Sequence, residues 1–312
     1  MSFLFLPLRL VLALAALLLL PAFSLLFAQD VRVETQQQAR VRAESTQEEE
    51  TTEKVADSEL GDINLVSRAP RPKMFTFFTS QSLNYTSNAF LVRDGEQSDL
   101  FWQGGVGAWF IPYATRNFTP KLRFDQNWFR YHDFGVLDFD MQSLQLDLKY
   151  DLNRDDTWFV DGFYAVSRLS APRGSTGEFY RDGFLNLSIT HRIQLQKPPI
   201  FLEVSGGAYS RHGDPSSSDR VAGYVVASAI YNIRDDLQLS GFIRPEGQHY
   251  THDPSGSRED FNLTVGAGLT WSPKEYLAVS AAASYVGNFS NVSQRRYDVV
   301  TPTLFVGAQI AF

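Results

Sequence analysis

From about residue 74 to the end of the chain, apolar and polar residues alternate with a period of two. That period marks strands with one face in an apolar medium and the other in a polar one. In 142–150 the even positions are Leu144, Leu146, Leu148 and Tyr150, and the odd ones Ser143, Gln145, Asp147 and Lys149. In 259–271 the odd positions Phe261, Leu263, Val265, Ala267, Leu269 and Trp271 are apolar, and the even ones are polar or glycine. About twelve such runs occur, near 74–86, 98–111, 119–132, 138–151, 156–170, 178–194, 199–212, 219–233, 236–250, 258–272, 275–289 and 298–312. Most are far longer than the five or six residues usual in soluble sheets and suit tilted strands that cross a bilayer. The pattern predicts an all-β chain, an antiparallel up-and-down transmembrane barrel of about 12 strands.

The links between runs alternate in character. Those at 151–155, 197–199, 233–236 and 272–275 read as tight polar turns; those at 87–97, 170–177, 213–218, 250–257 and 290–296 are longer and rich in Gly, Ser, Asp and Pro. Short turns on one side and long loops on the other suit a membrane barrel with both termini and the turns in the periplasm. The link 112–119 is long for such a turn, and 132–137 is short for an outer loop.

Residues 1–28 have a secretory layout: Arg9, an apolar run over 11–20, then Pro21 and small residues, with cleavage expected between Ser24 and Ala28. Residues 29–73 turn to Gln, Glu, Thr and Arg, with the run Glu48-Glu49-Glu50, and read as a disordered acidic periplasmic extension. The barrel is expected over 74–312.

Composition sharpens this reading. The chain holds 25 Phe, 13 Tyr and 5 Trp at a mean hydropathy of −0.20, so its aromatics need an apolar surface besides a water-soluble core. No cysteine is present, which removes disulfides and thiolate metal sites, and a net charge of −7 argues against a nucleic-acid partner. The polar faces carry Asp99, Lys121, Arg123, Asp125, Asp147, Lys149, Asp161, Asp182, Arg192, Glu203, Arg211, Arg220, Arg244 and Glu246, seven acids against seven bases. These are the candidate lumen-lining residues, and a wet lumen is expected to leave most of them hydrated. Trp102, Trp109, Trp128, Trp158, Trp271, Tyr150, Tyr231 and Tyr276 lie toward strand ends, as expected of interfacial girdles.

The last residues, Val306-Gly307-Ala308-Gln309-Ile310-Ala311-Phe312, resemble the C-terminal signal of the bacterial outer-membrane β-barrel superfamily. The resemblance implies that the barrel-assembly machinery reads Gly307, Ile310 and Phe312. Val306 departs from the polar residue common before the glycine. Within that superfamily, Asn84-Tyr85-Thr86-Ser87-Asn88-Ala89-Phe90 resembles the Tyr-x-x-Asn-x-Phe opening of uncharacterised β-barrel porin families.

Catalytic and metal chemistry find little support. The histidines, His132, His191, His212, His249 and His252, are scattered, so no metal site and no cofactor are expected. Residues 250–257 superficially resemble the Tyr-Thr-His-x-Ser-Asn-Gly motif of outer-membrane phospholipase A, but Pro254 stands where the nucleophile belongs; a hydrolase on His252 and Ser255 is the weakest reading. The leading expectation is a porin-like passive channel for small polar solutes, embedded in outer-membrane lipid, as a monomer or homo-oligomer. The alternative is a non-conducting structural barrel that holds a periplasmic partner through its N-terminal extension.

Overall fold

A computed structural model of the chain describes residues 73–153, 157–172, 177–195 and 200–312. The expected signal peptide and nearly all of the expected extension lie outside the described residues. Twelve strands follow one another: β1 Phe75–Thr86, β2 Asp99–Phe110, β3 Phe118–Tyr131, β4 Phe139–Asp151, β5 Trp158–Ser170, β6 Glu178–Leu195, β7 Ile200–Asp214, β8 Arg220–Arg234, β9 Leu237–Tyr250, β10 Arg258–Lys274, β11 Leu277–Ser290 and β12 Tyr297–Ala311. Each starts and stops within a few residues of the run its alternation predicts.

Every strand pairs antiparallel with its chain neighbours, and β1 pairs with β12, so the sheet closes into a barrel. Closure satisfies the backbone groups that an open sheet would leave at its edges. Strand parity now acquires a geometric meaning. One parity points outward and forms a belt of exposed apolar side chains that includes Leu83, Leu122, Leu144, Leu187, Val225, Ile243 and Leu304. The other points into the lumen.

The two ends of the barrel differ. One end, the turn end, holds both termini of the barrel and the two-residue links 235–236 and 275–276. The other, the loop end, holds the longest link, 87–98, and three single 3₁₀ turns at Gly135–Leu137, Ser216–Ser218 and Ser293–Arg295. Among the described residues no helix is long and apolar enough to cross a membrane.

Candidate functional site in the barrel lumen

All the charged residues expected on the lumen have inward parity. Lys121 stands opposite Asp147, and Lys149 opposite Asp161. Arg192 stands opposite Glu203, and Arg211 opposite Arg220. Arg123 and Asp125 on β3, Asp182 on β6, and Arg244 and Glu246 on β9 face the same way.

The expected hydration fails for most of this set. Arg123, Asp125, Asp182, Arg211, Arg220, Arg244 and Glu246 are all buried, with Arg123 and Asp125 partway down β3 and Asp182, Arg211 and Arg220 close to the loop end. Burying a charge is tolerable only when it is paired and hydrogen-bonded, and these side chains meet that condition along the wall. Arg123 donates from Nε to Asp125 Oδ2 at 2.6 Å and from Nη2 to Oδ1 at 3.1 Å, and lies 4.9 Å from the Phe78 ring centroid. Arg211 pairs with Asp182 on the adjacent strand. Arg244 donates to Glu246 at 2.8 Å and stacks 4.1 Å from Tyr224. The Tyr209 hydroxyl donates to Glu246 at 2.5 Å, and Arg220 donates to that hydroxyl at 3.3 Å.

Arg258, absent from the expected set, sits between Asp260 at 3.0 Å and Asp253 at 3.2 Å and stacks 3.8 Å from Tyr250. A signal for it exists. Arg123-Phe124-Asp125, Arg244-Pro245-Glu246 and Arg258-Glu259-Asp260 repeat one spacing, and a two-residue step along a strand brings base and acid to one face.

The loop end is also filled by apolar side chains, on β2 to β6. Phe101, Phe129, Tyr131, Phe139, Met141, Leu169 and Tyr180 form a buried cluster with Ala89 and Leu137 of the links. Phe129 and Phe139 stack at 4.1 Å, and Phe101 and Tyr131 at 4.9 Å. Asp99 serves this closure and does not line an open path. Its carboxylate accepts the N–H groups of Leu100 at 2.7 Å, Asp133 at 3.1 Å and Phe134 at 3.0 Å, which folds the link 132–138 onto the mouth. Asp99, His132 and Asp133 bring potential ligand atoms within 4.8 Å of one another, but the Asp99 oxygens already accept those N–H groups.

The turn end is packed unevenly: inward-facing Thr76, Phe159 and Thr190 are buried, whereas charged side chains beside them stay partly exposed. Lys149 keeps 31% of its side chain exposed beside Asp151 at 3.6 Å. Arg192 meets Glu203 at 2.8 Å. Both cations flank the Phe159 ring, at 4.9 and 5.3 Å. The facing wall, β8 to β12, presents Ser228, Ser240, Thr270, Ser280, Thr301, Thr303 and Gln309, all half-buried and uncharged.

One aromatic expected in the girdle belongs here instead. Trp109 shares the inward parity of Arg123, its register partner, and packs on Phe78 at 5.3 Å with Lys121 Nζ 5.8 Å from its ring. Trp102, Trp158 and Trp271 do face outward: Trp102 donates to Gln81 at 2.8 Å, Trp271 to Asp236 at 3.0 Å, and Trp158 stacks on His191 at 4.2 Å. Of the C-terminal residues, Ile310 and Phe312 point outward and exposed, while Gly307 points inward opposite Ser80, where an added Cβ would come 2.8 Å from the Phe305 ring.

Electrostatics at the loop end follow burial and donors. Burial raises the Asp253 carboxyl, but N–H and O–H donation from Ser255 and the Arg258 guanidinium outweigh it and hold the group below the usual range. Burial pushes Asp138 up, and the neighbouring Asp99 and Asp140 charges add to that, against the Tyr131 N–H and Arg130. Ser255 spends its hydroxyl on Asp253, while His252 turns to Thr251 at 3.0 Å and Asp219 at 3.3 Å. That arrangement is a turn held by an aspartate, without the serine–histidine contact a hydrolase needs.

No protein-family profile matches the sequence, and no curated protein does. Among solved structures the chain is similar to an outer membrane channel from Pseudomonas putida F1, with a TM-score of 0.53, 13% identity, and coverage of 82% of this chain and 100% of that one. It is also similar to the translocator domain of the autotransporter NalP from Neisseria meningitidis, at TM-score 0.49, 12% identity and coverage of 88% and 95%. A third is the KdgM porin in complex with disordered oligogalacturonate, at TM-score 0.43, 8% identity and coverage of 75% and 99%. At these identities the likeness concerns the fold: this chain has the closed-barrel architecture of bacterial outer-membrane β-barrel proteins.

Proposed function

We propose that the protein is an outer-membrane channel for small hydrophilic solutes, with the turn end in the periplasm and the loop end outside. The exposed apolar belt supports the membrane placement. Leaving a large aliphatic or aromatic side chain in water forgoes about 1.5–3 kcal/mol each, and here such side chains project from all twelve strands. One observation carries the channel reading. The named charge pairs run along the wall, within a strand or between adjacent strands, and their guanidiniums lie over wall aromatics, as in Arg123–Asp125 over Phe78 and Arg244–Glu246 over Tyr224. Held that way the pairs need no partner from across the lumen, and the seven-to-seven balance of charges gives no strong ion preference.

Single-channel conductance of the refolded full-length protein in a planar bilayer tests this. Discrete steps are expected; a folded, inserted barrel, recognised by heat-modifiable gel migration, that stays silent at every voltage refutes it. The filled loop end favours a second reading, a non-conducting barrel that acts through its N-terminal extension. Under it, removal of residues 29–73 abolishes binding of a periplasmic partner and leaves conductance at zero throughout.

A further inference from the structure

The geometry points to the 87–98 link as a movable stopper of the loop end, released by opening a clasp at Asn88; the inference rests on the channel reading above. Asn88 is fully buried, and its side chain ties the link at three points. Nδ2 donates to the Val92 carbonyl at 2.7 Å and to the Asp298 carbonyl at 3.1 Å, and Oδ1 accepts the Val92 N–H at 3.1 Å. The residues that follow fold inward and are buried on both flanks of β1. Ala89 is buried in the aromatic cluster of β2 to β6, while Leu91 packs on Val286 and Val299 of β11 and β12. The segment is tucked into the mouth, against inward side chains on both flanks of β1.

Two features make this link the one that moves. Leu91 holds a φ of 51°, a left-handed conformation unfavourable for a branched side chain, so the backbone gains when the contacts let go. The anchors also differ in kind from those of its neighbours. The 132–138 link is held by the Asp99 carboxylate and the 251–257 link by Asp253 and Arg258, which are charge-assisted bonds. The 87–98 link is held by neutral amide bonds, while its own charges, Arg93, Asp94 and Glu96, stand exposed at the tip. Neutral bonds are about half as strong as charge-assisted ones, so this link is anchored more weakly than those two.

The chain has no cysteine, so a single engineered pair reports cleanly. Full-length wild type, Asn88→Ala, and the double variant Leu91→Cys with Val299→Cys are each inserted in a planar bilayer after gel migration confirms a folded barrel. Asn88→Ala is expected to lengthen the open time about tenfold or more, the scale set by losing these bonds. The cysteine pair is expected to be silent when oxidised and to conduct at wild-type levels once reduced. A fully cross-linked pair that conducts as well as the reduced one overturns the stopper and leaves the channel standing. Silence from wild type, Asn88→Ala and the reduced pair alike overturns both, because a barrel that stays closed with the link freed has no passage for it to stop.

Discussion

At the loop end, inward-facing Phe129, Asn127 and Arg220 are 0–1% exposed, whereas at the turn end inward-facing Lys149 keeps about a third of its side chain in contact with water. Both sets lie on the same parity of the same barrel. The difference lies in what faces them: at the loop end three features, the 87–98 and 132–138 links and the Arg258 cluster, bring partners to the wall, and toward the turn end the wall from β8 to β12 presents mostly small hydroxyl side chains. An inward polar residue is therefore wet or packed according to what stands opposite, which its own strand does not encode.

This contrast can be broken most sharply at Arg258. Arg258→Ala leaves Asp253 and Asp260 buried without their shared cation and is expected to cost about 3–5 kcal/mol, read from urea unfolding of the refolded barrel. Lys149→Ala, the matched change at the turn end, is expected to cost less than about 1 kcal/mol; equal costs would erase the distinction between the two halves. Phe139→Ala should follow at about 3 kcal/mol, since it opens a cavity against Phe129 in the closed mouth, while Phe305→Ala, half-buried midway along β12, should cost roughly 1.

A smaller effect is expected on the barrel wall between them. Gly107→Ala would put a Cβ 2.3 Å from the Phe78 ring and 2.5 Å from the Phe124 carbonyl oxygen, and backbone must shift to admit it. A loss of about 1–3 kcal/mol should appear in the same assay. The smallest effect concerns pH. The Asp138 carboxyl is raised on folding, so its contribution favours the fold below the ordinary aspartate pKa and is lost as pH rises through the raised value. Asp253 is lowered and works the opposite way, its contribution present above the ordinary value and lost in acid. Asp138→Asn keeps an oxygen for the Tyr131 N–H and should unfold slightly more slowly than wild type at pH 7, with the gap closing below pH 4. A gap that widens in acid would reverse the assignment.

Much of the fold is legible in the chain because alternation is a local property. The run around 142–150 announces both that it is a strand and which side chains share a face, and β4 keeps that register. The inward parity of Arg123, Asp147 and Glu203 follows in the same way. Burial of these charges is not legible, since it depends on partners such as Tyr224, Phe78 and Asp182 supplied by other strands. Trp109 illustrates the limit. Its place near a strand end suggests an interface aromatic, but parity with Arg123 turns it inward, so register outweighs residue type.

The sequence by itself determined a twelve-stranded, two-faced chain with an apolar belt, because each strand's period of two and each turn's polar residues act over a few neighbouring positions. Only the tertiary structure decided that the loop end is closed. That closure depends on Ala89, Leu91, Asp99 and Arg258 meeting residues up to two hundred positions away, and those meetings exist only once β1 has found β12 and the walls face each other across a common axis.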